Sequence, residues 1–166
     1  MTTDPPVRVR RAARADSGRL AHLRHAWSSE QAGRPLVDDA FETTFEEWFS
    51  REHEQRVTWL AVTGEATTAA GAGTAAGDVG MLNLLVFTRM PRPERAVSRW
   101  GYVANAFVVP DWRNAGVGRL LLDAAVTYAR EQGFVRLVLS PSERSVPFYA
   151  RAGFRPATSL MVHPLD

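Results

Sequence analysis

The junction between an apolar strand and a leucine-rich helix constrains this chain most. The strand pattern ends at Pro110, a strongly periodic helix begins at Gly116, and the spacing around them is Arg113-x-x-Gly116-x-Gly118. Helix N-termini carry unpaired N–H groups and a partial positive charge. Glycines let a bound anion approach the backbone without a Cβ in the way. The spacing predicts either a pyrophosphate cradle built mainly from backbone or a glycine-rich turn with no ligand.

Two well-known phosphate motifs are excluded here, because no Lys-Ser/Thr pair follows and the three glycines of a dinucleotide fingerprint are missing. The spacing resembles the acetyl-CoA motif of the GNAT superfamily of N-acetyltransferases, Arg/Gln-x-x-Gly-x-Gly/Ala. Two flanking pieces are also similar to that family, in the same order. They are the strand at 100–110 and the closing segment from Ser142 to Phe154, with its Tyr-x-x-x-Gly-Phe ending.

The composition of 166 residues, 45% hydrophobic and 23% charged, predicts one soluble globular domain. No apolar run approaches the ~20 residues of a membrane helix, and residues 1–14 lack a signal-peptide core. We therefore expect a cytoplasmic protein with no membrane partner. The absence of cysteine excludes thiolate catalysis and Cys-based metal sites. His22 and His25 lack carboxylates at matching spacing, so no metal is expected.

Arginine supplies all 20 basic residues, and the net charge is only +2 despite a pI near 9.6. The cluster at 8–14 could touch nucleic acid, but Arg8 and Arg10 alternate with Val7 and Val9 as in a half-buried strand. We expect no nucleic-acid partner.

Hydrophobic periodicity predicts six strands and four helices. The predicted strands are 7–12, 56–63, 79–87, 100–109, 135–139 and 154–162. The predicted helices run from Asp16 to about Gly33, from Asp38 or Asp39 through the aromatic stripe Phe41, Phe45, Trp48 and Phe49, over 116–132, and over 142–152. Residues 64–78, almost wholly Gly, Ala and Thr, predict a flexible hairpin loop.

The order of these elements is the GNAT order. The resemblance implies one GNAT-type α/β domain over 1–166, with a central mixed, mostly antiparallel twisted sheet flanked by about four helices. It implies a splay between the fourth and fifth strands, a cofactor half at about 100–154 and acceptor-side helices at about 16–55. The aromatic stripe is then either core or the wall of an acceptor pocket. A homodimer and a monomer both remain open.

The resemblance further implies acetyl-CoA as co-substrate. Backbone groups of Phe107, Val108 and Val109 would pair with its pantetheine arm, and one N–H would polarise the thioester carbonyl. The N–H groups that would face the pyrophosphate belong to Asn114, Ala115, Gly116, Val117, Gly118 and Arg119. The side chains of Arg113 and Arg119 either add charge-assisted bonds or lie on the surface.

Tyr149 is the candidate general acid for the leaving thiolate, or else an aromatic anchor for the last helix. Ser142 either contacts the cofactor or is only a helix N-cap. Many relatives carry a Glu on the fourth strand, but residues 103–106 offer no carboxylate. Asn105 can orient an amine or a water without accepting a proton, and we assign no general base.

The resemblance implies transfer of an acetyl group from acetyl-CoA to a primary amine by direct attack in a ternary complex. The acceptor would be a small molecule or a peptide. The alternative is an acyl-CoA-binding GNAT-fold sensor or regulatory module without turnover. The missing carboxylate favours that alternative and Tyr149 disfavours it.

Overall fold

The computed structural model describes residues 7–64 and 77–165, and it contains one five-stranded sheet in the order β1-β2-β3-β4-β5. The strands are β1 (Val7–Arg11), β2 (Arg56–Thr63), β3 (Asp78–Thr88), β4 (Arg99–Val108) and β5 (Leu137–Val138). The first four pair antiparallel, and β5 runs parallel to β4. The predicted mixed, mostly antiparallel sheet is confirmed.

Within the part of the chain that the structure describes, four α-helices flank the sheet, as expected. They are α1 (Ser17–Ala32), α2 (Phe41–Glu52), α3 (Val117–Glu131) and α4 (Val146–Arg151). α1 ends at Gly33, whose φ of 65° is the left-handed conformation that ends many helices. None of the helices in the described ranges has both the length and the apolar character needed to cross a bilayer.

Helices cover both faces of the sheet. Successive side chains of a strand point to opposite faces, so apolar residues of β2 pack on both. Along β2, Val57 and Trp59 pack in the cluster that includes Leu121 and Leu122 of α3. The intervening Leu60 packs in the other cluster, with residues of α1 and α2. Six of the eight residues of β2, those at 57–62, are buried, as expected for a strand that is covered on both faces.

The last predicted strand, 154–162, is wrong. The described residues after α4 form turns and coil, and Leu160, Met161 and Val162 are exposed to 46%, 98% and 89%. Pro156 removes a donor from any ladder, and of the apolar residues in the segment Phe154 packs against the core while the three at 160–162 stay exposed. The fifth strand is also shorter than predicted. Most of the predicted loop at 64–78 lies outside the described residues.

Two irregularities of β4 position the functional site. Asn83 pairs with Asn105 and Leu84 with Val103, which leaves Ala104 as the extra residue of a β-bulge. β5 pairs with β4 only at Gly101 and Tyr102. Within the described ranges, residues 103–108 therefore have no strand on that side, and the predicted splay is confirmed.

An ion-pair network joins β1, the start of α1 and the start of β3. Arg10 donates from Nη2 and Nη1 to the two oxygens of Asp16, over 2.7 and 2.8 Å. Asp16, only 6% exposed, also accepts from Ala13 N at 2.7 Å. Arg19 Nε donates to Asp78 Oδ2 at 2.8 Å. Asp16 thus holds the entry to α1 through Arg10 and Ala13, without a side-chain capping bond to the helix.

We predict that Asp16→Asn lowers the free energy of unfolding by about 1–3 kcal/mol, because it weakens charge-assisted bonds of a buried group. The hydrogen bonds from Arg10 lower the pKa of Asp16. Its contribution is therefore present above the unfolded pKa of about 4 and is lost as pH falls through the lower folded pKa. Chemical denaturation of wild type and variant at several pH values measures both effects. The exposed Asp39→Asn is the matched control, and equal losses in the two variants would contradict the prediction.

Candidate active site

The splayed end of β4 presents backbone groups to solvent. Val109 N donates to Val79 O at 3.0 Å, so Val109 faces β3. Because an antiparallel ladder alternates, the N–H and C=O of Val108 face the open side. The carbonyl oxygen there accepts from Arg113 Nε at 2.9 Å. Of the predicted stretch 107–109, Val108 is the residue whose backbone N–H points into the splay.

The loop after β4 turns directly into α3. Asn114 and Gly116 have φ values of 63° and 83°, both left-handed, and Gly116 is the N-cap, with no side-chain capping bond. Leu120 N donates to Gly116 O at 3.0 Å. The N–H groups of residues 117–119 precede that bond and have no acceptor within the helix. Such a run of N–H groups at a positive helix end is suited to an anion.

A cleft of about 1030 Å³ lies between the end of β4, the start of α3 and α4. We call it the large cleft. The predicted site residues that line it are Phe107, Val108, Arg113, Asn114, Gly116, Gly118, Arg119, Ser142 and Tyr149. Three others do not line it: Val109 faces β3, Ala115 is exposed, and the Val117 side chain is 1% exposed in the core. For Ala115 and Val117, only the backbone remains a candidate.

The large cleft has basic residues that the sequence reasoning missed. Arg144 and Arg151 line it together with Arg113 and Arg119, against the single carboxylate of Glu30. The spacing of seven between Arg144 and Arg151 was a signal, since residues two turns apart would share a face of the helix predicted at 142–152. This balance of charge fits a ligand with several negative charges.

Arg113 links the loop to two other elements. Besides its bond to Val108 O, its Nη2 lies 2.6 Å from Glu30 Oε2 at the end of α1. Its guanidinium carbon lies 5.7 Å from the ring centroid of Phe107. The bond from Arg113 lowers the pKa of Glu30, so that carboxylate is ionised at neutral pH. Arg113 therefore fixes the strand end.

Arg119 and Ser142 also bond within the protein. Arg119 Nε lies 2.8 Å from both carboxylate oxygens of Asp123, and its Nη1 donates to Arg151 O at 3.3 Å. Ser142 Oγ donates to Ser145 Oγ at 3.0 Å and makes no helix-capping bond. The first turn of α3 and the start of α4 are thereby each held in place beside the cleft.

Tyr149 lines the large cleft from α4. Its ring packs edge-to-face on Phe148 and Phe154, at centroid distances of 5.0 and 5.8 Å. Burial raises the pKa of its phenol above the usual 10. The ring is thus anchored by packing, and its hydroxyl stays protonated throughout the neutral range. A ring held by packing and a hydroxyl that stays protonated are both properties expected of a fixed proton donor.

A second cavity, of about 420 Å³, lies on the face of the sheet covered by α1 and α2. We call it the aromatic cavity, since its lining includes the stripe Phe41, Phe45, Trp48 and Phe49. Arg24, Asn83 and Asn105 are among its polar residues. Trp27 and Phe107, whose rings stack at 5.9 Å, line the large cleft beside it. The stripe is therefore both core and pocket wall.

Comparison with known proteins gives a consistent result. Residues 20–154 match the family model described as the acetyltransferase (GNAT) family. Glucosamine 6-phosphate N-acetyltransferase of Trypanosoma brucei brucei is 35% identical over 77 residues, which cover 46% of this chain. The match spans about half, 50%, of that curated relative's length.

Two solved structures share the fold. A predicted acetyltransferase with acetyl-CoA from Clostridium acetobutylicum has a TM-score of 0.70 at 20% identity, over 96% of this chain and 97% of that one. A transcriptional regulator from Bacillus halodurans has a TM-score of 0.71 at 17% identity, over 97% and 99%. At these identities the likeness is one of fold alone.

We predict opposite effects for alanine at the two glycines of the loop. Gly116→Ala should lower the free energy of unfolding by about 1–2 kcal/mol, because a Cβ is strained at its left-handed φ even though no atom lies within 4 Å. Gly118→Ala should be neutral or stabilising by up to about 1 kcal/mol, because its new Cβ meets Phe148 only at 3.4 Å. Denaturant unfolding curves compare the two, and a larger loss for Gly118→Ala would contradict the described loop.

Proposed function

The chain belongs to the acetyltransferase (GNAT) family, and from this we propose that it transfers an acetyl group from acetyl-CoA to a primary amine, with both bound together. The observation that carries the proposal is the N-terminus of α3. It has no side-chain cap and opens into a cleft lined by four arginines and one glutamate. The family match, over residues 20–154, supports the same reading.

The residues present fit acetyl-CoA. The N–H groups of residues 114–119 would hold its diphosphate, and Gly118, whose Cβ position lies between Phe148 and Val108, keeps that approach open. Arg144 and Arg151 would add charge at the rim of the cleft. The open edge of β4 at 103–108 would pair with the pantetheine arm, as a neighbouring strand would.

Acetyl-CoA supplies an acetyl thioester: in the net reaction a C–N bond forms, the C–S bond breaks, and one proton passes from the amine to the sulfur. The N–H of Val108 would stabilise negative charge on the carbonyl oxygen. The Tyr149 hydroxyl would donate the proton to the sulfur and recover one from solvent. Asn105 would orient the amine, and water would take its proton.

A binding module without turnover is the second candidate. Two observations favour it: residues 103–106 offer no carboxylate, and one protein of this fold is named as a transcriptional regulator. Both candidates bind acetyl-CoA, so affinity does not separate them. Thiol release measured with a panel of amines does separate them, because only an enzyme would release free coenzyme A at a rate that depends on the amine.

We predict that Gly118→Trp abolishes acetyl-CoA binding and leaves the protein folded. The indole would fill the space beside Phe148 and Val108 that the diphosphate needs. Titration calorimetry measures binding, and thermal unfolding checks the fold. Glu131→Trp, at the exposed other end of α3, controls for the added indole. Affinity of the wild-type order in Gly118→Trp would overturn the cradle assignment.

We predict that Tyr149→Phe lowers kcat by about 10²-fold or more and leaves the affinity for acetyl-CoA nearly unchanged, because only the proton donor is lost. Since burial raises the pKa of Tyr149, its deprotonation should not limit wild-type kcat below pH 10. Tyr128→Phe is the control, because that ring packs on Trp59 and Phe134 in the core. Equal single-turnover rates for wild type and Tyr149→Phe would reduce Tyr149 to an anchor.

A further inference from the structure

We infer that the aromatic cavity receives the acceptor, and that the acceptor is a free α-amino acid with an aromatic or large aliphatic side chain. The inference rests on the proposed function, because it names the substrate class of that reaction. A volume of about 420 Å³ lies at the small end of ligand pockets and suits a single small molecule.

The wall of the cavity favours an apolar body. The rings of Phe45 and Trp48 lie 5.3 Å apart and those of Phe41 and Phe45 6.0 Å apart, and Leu20 and Met81 continue the same surface. A sugar bound against this aromatic surface would lose hydration at the hydroxyls that face it and regain no hydrogen bonds from the rings. A phenyl or branched aliphatic group has no hydroxyl hydration to lose, and its burial is favourable.

Arg24 supplies a site for a carboxylate. Its guanidinium carbon lies 4.6 Å from the ring centroid of Trp27. Its side chain lines the cavity and has no hydrogen bond or ion pair with any residue in 7–64 or 77–165. A guanidinium placed over an aromatic ring keeps its edge for bidentate pairing with a carboxylate.

Asn105 supplies a site for the amine. In the β3–β4 pair it lies opposite Asn83, whose amide is already bonded to Arg56 Nη1 at 2.9 Å and to Thr58 Oγ1 at 2.8 Å. The Asn105 side chain has no such bond to the described residues, and its Oδ1 can accept from an amine. Phe107, two residues further along the same face of β4, lines the large cleft as well as stacking on Trp27. An amine held at Asn105 would therefore lie on the side of the strand that reaches the proposed acetyl site.

Arg24 and Asn105 both lie close to the Trp27–Phe107 stack. Arg24 contacts Trp27, and Asn105 is two residues from Phe107 on the same face of β4. A carboxylate and an amine on one carbon match this placement, with the side chain directed to the aromatic stripe. The amine nitrogen would gain the acetyl group and lose one proton, which ends on the sulfur of coenzyme A.

The first test compares L-phenylalanine, phenethylamine and glucosamine 6-phosphate as acceptors by thiol release. We expect L-phenylalanine to have the highest kcat/KM. Arg24→Gln should lower that value about 10-fold or more, the usual effect of losing a charge-assisted bond, and change phenethylamine by less than about 3-fold. The exposed Arg34→Gln is the control. Preference for glucosamine 6-phosphate, or equal losses for both amines in Arg24→Gln, would overturn the inference and leave acetyl transfer standing.

The second test fills the cavity. Thr44 is exposed on α2 and lines the cavity, whereas its neighbour Thr43 is exposed and does not. Thr44→Trp should abolish calorimetric binding of L-phenylalanine and leave acetyl-CoA binding unchanged, and Thr43→Trp should change neither. Binding of L-phenylalanine that depends on Arg24 and is accompanied by no thiol release from any amine would refute the enzyme and retain the pocket. Unaltered binding in Thr44→Trp would refute the pocket.

Discussion

The partial pairing of β4 is the constraint on which the site depends. At one end, Gly101 and Tyr102 are paired with strands on both sides, while the paired residues at 103 and 105–108 have β3 as their one partner among the described strands. The bulge at Ala104 lies where this change occurs. A fully paired strand would have satisfied its own backbone groups and closed the large cleft. The open edge costs hydrogen bonds within the sheet, and it creates a surface on which an extended ligand can pair.

Arg113 shows how that open edge is kept in shape. Its bonds to Val108 O and Glu30 join the strand end to α1, so the loop does not rely on a ligand for its conformation. The positive charge of Arg113 is largely matched by Glu30. Attraction for an anion therefore falls to the backbone of the loop and to Arg144 and Arg151. Such a preformed site loses less conformational entropy on binding than a loop that must order.

Local patterns in the sequence predicted the parts of the fold that local physics determines. The periodicity of α3 and the β-branched and aromatic run of β2 gave their bounds to within a residue or two, and the glycine spacing located the helix terminus. The prediction of a final strand at 154–162 failed because the residues of that segment say nothing about whether a sheet edge is available. The bulge at Ala104 and the bonds of the Arg113 side chain could not be predicted from the sequence either, since each depends on partners distant in the chain. Arg144 and Arg151 were visible as residues, but their common cleft needed α4 to be placed beside α3.

The Trp27–Phe107 stack explains how one strand can serve two ligands of different character. Residues 105 and 107 of β4 point to the face covered by α1 and α2, and residues 106 and 108 point to the face covered by α3. The first face holds the aromatic cavity, and the second holds the large cleft with the uncapped N-terminus of α3. A polyanion is suited to the second face, where unbonded N–H groups and arginines lie, and an apolar group can be buried against the rings of the first. Because the stack lies where the two faces meet at the splay, two ligands sorted in this way have their reactive ends adjacent, without any movement of the sheet.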